Sequence, residues 1–155
     1  MAHSLRDELK QRAPFCCVEQ EAMLNVVRTA AVLHDSLEAF LRPYGIGPTH
    51  YNVLRILRGA EPEGLCRNEL RDRMLTRMPD MTRVLDRMEQ CGLVYRERGE
   101  EDRRMVTTRL TAEGRRLVDS LDAPVAELHR RQLRGLDAKE MRTLIDLLTA
   151  VRQGA

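Results

Sequence analysis

Apolar residues recur every three or four positions through most of the chain, and the breaks in that rhythm mark the elements. From Glu19 to Leu41 the stripe Met23, Val27, Ala30, Leu37 and Leu41, flanked by Val26, Leu33 and Phe40, predicts one amphipathic helix. Pro43 and the run Gly45-Ile46-Gly47-Pro48 interrupt it. A second helix is predicted with Gly47 as N-cap and Pro48 at the first helical position, where its missing N–H is no loss. Tyr51, Leu54 and Leu57 face inward there, and Gly59 ends the helix.

Cys66-Arg67-Asn68-Glu69 has capping-box spacing with cysteine in the serine position, so a third helix should run through Leu70 and Met74. About four residues, Leu75 to Met78, separate it from a fourth. That helix is predicted to begin at Pro79, with Asp80 in its first turn and Met81, Val84, Leu85 and Met88 buried. Gly92 ends it, followed by Leu93 as the apolar residue usual after a glycine cap.

The period then changes. Val94 to Arg98 and Met105 to Leu110 read as two strands joined by Gly99-Glu100-Glu101-Asp102-Arg103-Arg104. Thr111 to Gly114 opens a long helix with Leu117, Leu121, Val125 and Leu128 at helical spacing and a kink expected at Pro124. A last helix is predicted from about Asp137 to Arg152. Its stripe Met141, Leu144, Ile145, Leu148 and Val151 is too wide for a free surface. Burying five such side chains contributes roughly 7–15 kcal/mol as a gross upper figure, so the stripe calls for a partner. The amino-terminal helix and a second copy of the chain are the candidates.

This order predicts a mainly α fold with a small β-hairpin. Two short helices joined by a tight turn, the second followed by a hairpin, form the winged helix-turn-helix plan, which lays the second helix in the major groove of DNA. The protruding polar residues of that helix and its approach are Thr76, Arg77, Met78, Asp80, Thr82, Arg83 and Arg87. Arginine pairs bidentately with guanine, and threonine donates to phosphate. At the hairpin tip, Arg103 and Arg104 suit a narrow minor groove, with Asp102 placed to orient one of them.

Charge narrows how DNA could be bound. The net charge is only +2, and between Cys66 and Arg116 there are 13 arginines against 10 acids. Contacts must therefore come from placed arginines rather than from a basic tail. No apolar run approaches membrane-spanning length, and no signal sequence is evident, so a cytoplasmic protein is expected. In a reducing compartment Cys16, Cys17, Cys66 and Cys91, which lack CxxC spacing, are expected as free thiols. His3, His34, His50 and His129 are scattered, so no metal site is expected, nor any other cofactor. No GxSxG, HExxH or phosphate loop occurs, which argues against an enzyme.

Four segments carry a family resemblance. They are Gly47-Pro48-Thr49-His50-Tyr51-Asn52-Val53-Leu54, Asp80-Met81-Thr82-Arg83-Val84-Leu85-Asp86-Arg87-Met88-Glu89, Gly92-Leu93-Val94, and Asp102-Arg103-Arg104 running into Leu110-Thr111-Ala112-Glu113-Gly114. In this order and spacing the chain resembles the MarR (multiple antibiotic resistance regulator) family from Glu21 to Arg152. The resemblance implies a single domain over residues 1–155, with a DNA-binding lobe at 46–112 and dimerising helices in 1–45 and 113–155. It further implies a homodimer on a pseudo-palindromic double-stranded DNA operator, usually as a repressor, with Arg83 reading from the recognition helix and Arg104 as the minor-groove arginine.

The family often has serine or threonine where this chain has Pro79 and Asp80. A carboxylate there repels phosphate; it can instead accept from a cytosine amine or stabilise the helix start. The family's pocket for a small aromatic or phenolic effector implies Met23, Val27, His34 and Tyr51 as lining residues. The residues alone allow plain core at these positions, with His34 a hydrogen-bonded core histidine. Cys16, Cys17 and Cys66 are the candidates for a thiol-based sensor, Cys66 through its place at a helix start. Cys16 and Cys17 are adjacent and do not easily form an unstrained disulfide with each other, and Cys91 is expected to be buried. A redox-sensing regulator of the same fold, or a dimeric interaction module that has lost specific DNA binding, are the alternatives.

Overall fold

A computed structural model of the protein describes residues 4–78, 80–99 and 105–154. The chain divides into two compact units, Met1–Thr49 and His50–Ala155.

In the first unit, α1 (Leu5–Glu8) is a single turn closed by a reciprocal cap, in which Ser4 and Asp7 each accept from the other's backbone amide. It has too few residues to show a period, which is why the pattern missed it. α2 (Val18–Leu41) is the predicted amphipathic helix, extended by one residue at its start. It ends in a 3-10 turn, Arg42–Tyr44, that Gly45 closes at φ 74°. Only Leu41 of α2 is buried, whereas Met23, Val26, Val27 and Val32 are exposed.

The second unit holds the rest, and α3 (Pro48–Arg58) leads into it, burying Tyr51, Leu54 and Leu57 as spaced and Val53 besides. β1 (Leu65–Cys66) follows, then α4 (Arg67–Arg73) and α5 (Met81–Gln90). β2 (Val94–Arg98) and β3 (Val106–Leu110) form the predicted hairpin. The sheet nevertheless has three antiparallel strands in the order β1-β3-β2. β1 escaped prediction because two residues carry no alternation; its partners, Thr107 and Thr108, lie some 40 residues away in sequence. Gly64 admits β1 to this pairing. It sits at φ 72°, and a Cβ there would lie 2.6 Å from the Thr108 carbonyl oxygen.

α5 starts two residues later than expected, with Asp80 as its N-cap rather than in its first turn. The Asp80 carboxylate accepts the otherwise orphan Arg83 amide at 3.1 Å, which is the contact that an N-cap residue supplies. The end is as read: Gly92 at φ 70° closes a Schellman motif, with Leu93 N–H donating to Met88 C=O and Gly92 N–H to Glu89 C=O.

α6 (Ala112–Gln132) is capped by Thr111, whose hydroxyl accepts from Gly114 N–H at 3.0 Å and donates to Gly92 C=O at 2.6 Å. Its buried face is Gly114, Val118, Leu121, Val125 and Leu128, so Val118 takes the inner position assigned to Leu117, which is half-buried. Pro124 is carried inside this helix without ending it. α7 (Ala138–Gln153) opens on a capping box between Asp137 and Glu140 and buries no residue; Leu144, Ile145, Leu147 and Val151 are all exposed. Among the described residues no helix is long and apolar enough to cross a membrane.

Candidate nucleic-acid interface

Helical periodicity decides what α5 presents. Met81, Leu85 and Met88 are buried, which turns Thr82, Arg83 and Arg87 outward, and all three are exposed. Thr76 and Arg77 are exposed on the approach, Met78 is half-buried, and Asp80 is held at the cap by its 3.1 Å bond from Arg83 N–H. That approach is fixed from α3, because Asn52 Oδ1 accepts from the Leu75 amide at 3.0 Å. A second tie joins α4 to the outer face of α5, where Arg67 donates to Thr82 Oγ1 at 3.1 Å.

The charges on α5 are sorted by β2. The Arg96 guanidinium lies 2.7 Å from Asp86 and 2.5 Å from Glu89, and its backbone amide donates to Glu89 at 3.0 Å. Hydrogen bonding from Arg96 holds the Glu89 carboxyl below the usual carboxylate range. Both acids of the helix are thereby engaged from the sheet side. Among the described residues neither Arg83 nor Arg87 has an ion-pair partner, because Asp86 and Glu89 pair with Arg96 instead. His50 borders a groove of about 280 Å³ with Met78, Asp80, Arg83, Val84 and Arg87. Burial, and secondarily the Arg87 charge, push its imidazole below the ordinary histidine value, so it adds no positive charge there at neutral pH.

The hairpin is in register from Val94 opposite Leu110 to Arg98 opposite Val106. Gly99 N–H donating to Met105 C=O at 2.9 Å carries the pairing one step further. The tip residues Asp102, Arg103 and Arg104 lie outside the described residues, as does Pro79.

The other candidates are dispersed. Met23, Val27 and His34 are exposed on α2, so His34 is not a core histidine. A single chain leaves that face of α2 uncovered, which apolar spacing alone did not reveal. Tyr51 is buried on α3 with the Arg55 guanidinium 5.9 Å from its ring centroid, and burial raises its phenol. Cys16 and Cys17 are exposed with Sγ atoms 3.5 Å apart. Cys66 is half-buried at the α4 N-cap, where its amide donates to Glu69 at 2.8 Å. Cys91 is exposed rather than buried, since it stands at the C-cap, past the last inward turn. Among the described residues no group of three or more His, Cys, Asp or Glu could hold a metal ion.

Sequence reasoning missed three residues of this surface: Asn52, Arg67 and Arg96. Asn52, set between the inward-facing Tyr51 and Leu54, was the one visible signal. The other two gain their roles only from contacts across 7 to 15 residues.

Comparison with known proteins matches this arrangement. The sequence profile of the MarR family matches residues 44–105. An HTH-type transcriptional regulator of Bacillus subtilis, YdgJ, is 29% identical over 140 residues, covering 90% of this chain and 82% of that protein. The crystal structure of a MarR transcription factor from Planctomyces limnophilus is 37% identical, with TM-score 0.68, over 88% of this chain and 99% of that one. A cysteine-to-serine mutant of MarR from Escherichia coli, crystallised with operator DNA, is 25% identical with TM-score 0.75 over 96% and 99% of the two chains. With profile, relatives and winged-helix architecture in agreement, the chain belongs to the MarR family and is a transcription regulator, not an enzyme.

Proposed function

We propose that the protein acts as a homodimer that binds a pseudo-palindromic double-stranded DNA operator sequence-specifically and represses transcription until a small aromatic or phenolic effector releases it. The observation that carries this reading is the face of α5. It offers Thr82, Arg83 and Arg87 outward while Arg96 occupies the helix's own acids. In a major groove, Arg83 and Arg87 supply bidentate donors for guanine, and Thr76, Arg77 and Thr82 supply phosphate contacts. Met78 and Asp80 position the helix start. Arg104, with Arg103 and Asp102, reaches the adjacent minor groove from the hairpin tip. A relative from E. coli crystallised in complex with operator DNA supports DNA as the partner.

The exposed apolar residues of α7 support dimerisation through segments 1–45 and 113–155, which sets two lobes, each 46–112, on successive half-sites. An effector held by Met23, Val27, His34 and Tyr51 acts by favouring a dimer whose α5 helices are wrongly spaced. This part rests on the family resemblance.

The test is a gel-shift series over salt with DNA from the protein's own upstream region. Arg83→Ala should weaken binding by about 1–3 kcal/mol and relax specificity. Arg104→Ala should weaken it and flatten the salt slope by about one. Affinities equal to wild type for both variants would sink the reading. Ile145→Asp should shift the protein to a monomer in sizing experiments.

A further inference from the structure

The chain bends at Cys16 and Cys17 immediately before α2. Cys17 is the N-cap, in extended backbone at φ −159° and ψ 167°, and Cys16 N–H is tied to Gln20 Oε1 at 2.8 Å. Neighbouring side chains on an extended chain point to opposite faces. Here the bend and the Gln20 tether bring both sulfurs to one side, 3.5 Å apart and exposed. Beside them lies a cleft of about 570 Å³ whose lining includes Arg6, Asp7, Pro14, Phe15, Cys17 and Val18. All of this lies within the first compact unit.

We infer that Cys16 and Cys17 form a two-sulfur binding site for trivalent arsenicals carrying one organic substituent, aryl arsenicals foremost. Two sulfurs 3.5 Å apart, each about 2.3 Å from a shared centre, subtend roughly 100° at it. That angle fits a pyramidal, three-coordinate soft centre bonded to two sulfurs and one carbon. A structural zinc needs four ligands, and the described residues offer no third donor group to complete one. A linear two-coordinate ion needs its sulfurs on opposite sides, which adjacent residues do not supply. Phe15, Pro14 and Val18 give the aryl group an apolar wall. With phenylarsine oxide two As–S bonds form and the arsenic–oxygen bonding breaks. The oxygen leaves as one water carrying both thiol protons, and no electrons are transferred.

The experiment uses the reduced full-length chain, phenylarsine oxide at one equivalent, and intact-mass detection after challenge with excess monothiol. The wild type should carry one phenylarsenic group, resist the monothiol, and lose the group to a small dithiol. Cys16→Ser and Cys17→Ser should each lower retention by about 100-fold, because a single sulfur forfeits the intramolecular second bond. A Cys66→Ser, Cys91→Ser double variant should retain the group as the wild type does. Undiminished retention in either Cys16→Ser or Cys17→Ser, or loss in the double variant, would overturn the assignment. All four thiols are surface or half-exposed, and matched melting curves verify that serine leaves the fold intact.

Discussion

Arg96 grips Glu89 twice, donating its backbone amide to Oε1 at 3.0 Å and its guanidinium Nε to Oε2 at 3.1 Å. One residue of β2 thus clamps the last turn of α5 and, by also reaching Asp86, engages both acids that would otherwise be free to pair with Arg83 and Arg87. Helix and hairpin are joined by this contact.

Arg96→Ala should therefore have two separable effects. Stability should fall by about 1 kcal/mol, a charged hydrogen-bond value discounted for the partial exposure of both partners, which lowers Tm by roughly 2–4 °C. Operator affinity should fall further than this loss explains, because Asp86 and Glu89 are freed beside the arginines. Thermal melts paired with gel shifts check it; an affinity unchanged at a temperature where the variant is folded would contradict the second effect.

Asp80→Ala removes the oxygen that accepts Arg83 N–H and should destabilise α5 by about 1 kcal/mol. Asp80→Asn keeps the cap and deletes the charge. It should melt like the wild type, and bind DNA more tightly if the carboxylate only repels phosphate. Denaturant unfolding and binding isotherms of the two variants separate capping from base reading.

Gly114 lies where no side chain fits: a Cβ would stand 2.0 Å from the Leu93 carbonyl oxygen, which itself accepts from Thr111 N–H. Gly114→Ala must push the first turn of α6 away from the end of α5. A loss of about 1–3 kcal/mol or more is expected in urea unfolding, against the gain that alanine usually brings inside a helix. An unchanged unfolding midpoint would mean the two elements are not packed this closely.

Arg58 bonds Asp122 at 2.8 and 2.9 Å and Asp119 at 2.9 Å, joining α3 to α6. Hydrogen bonding from Arg58 lowers both aspartates from their ordinary value of 3.8. A depressed folded value adds stability above the unfolded value and loses it as pH falls through the folded one. The wild-type Tm should accordingly drop as pH falls below about 3.8, the unfolded value. Arg58→Gln, lower at neutral pH, should drop less over that range, with both effects modest because the carboxylates are half-exposed. Parallel Tm-against-pH curves would refute the pairing.

The sequence alone determined the long helices, both hairpin strands and the cap at Gly92, because each rests on local interactions: a period of 3.6 or 2, a proline at a helix start, a glycine at positive φ. It also determined which α5 residues face out, since Met81, Leu85 and Met88 dictate the inward side. Tertiary structure decided the rest. β1 exists only because Gly64 lets two residues pair with β3, and Arg96 is a charge-sorting residue only because β2 returns alongside α5. The Asn52 bond to Leu75 spans 23 residues, and such contacts leave no periodic trace, because their partners are set by packing rather than by neighbours along the chain.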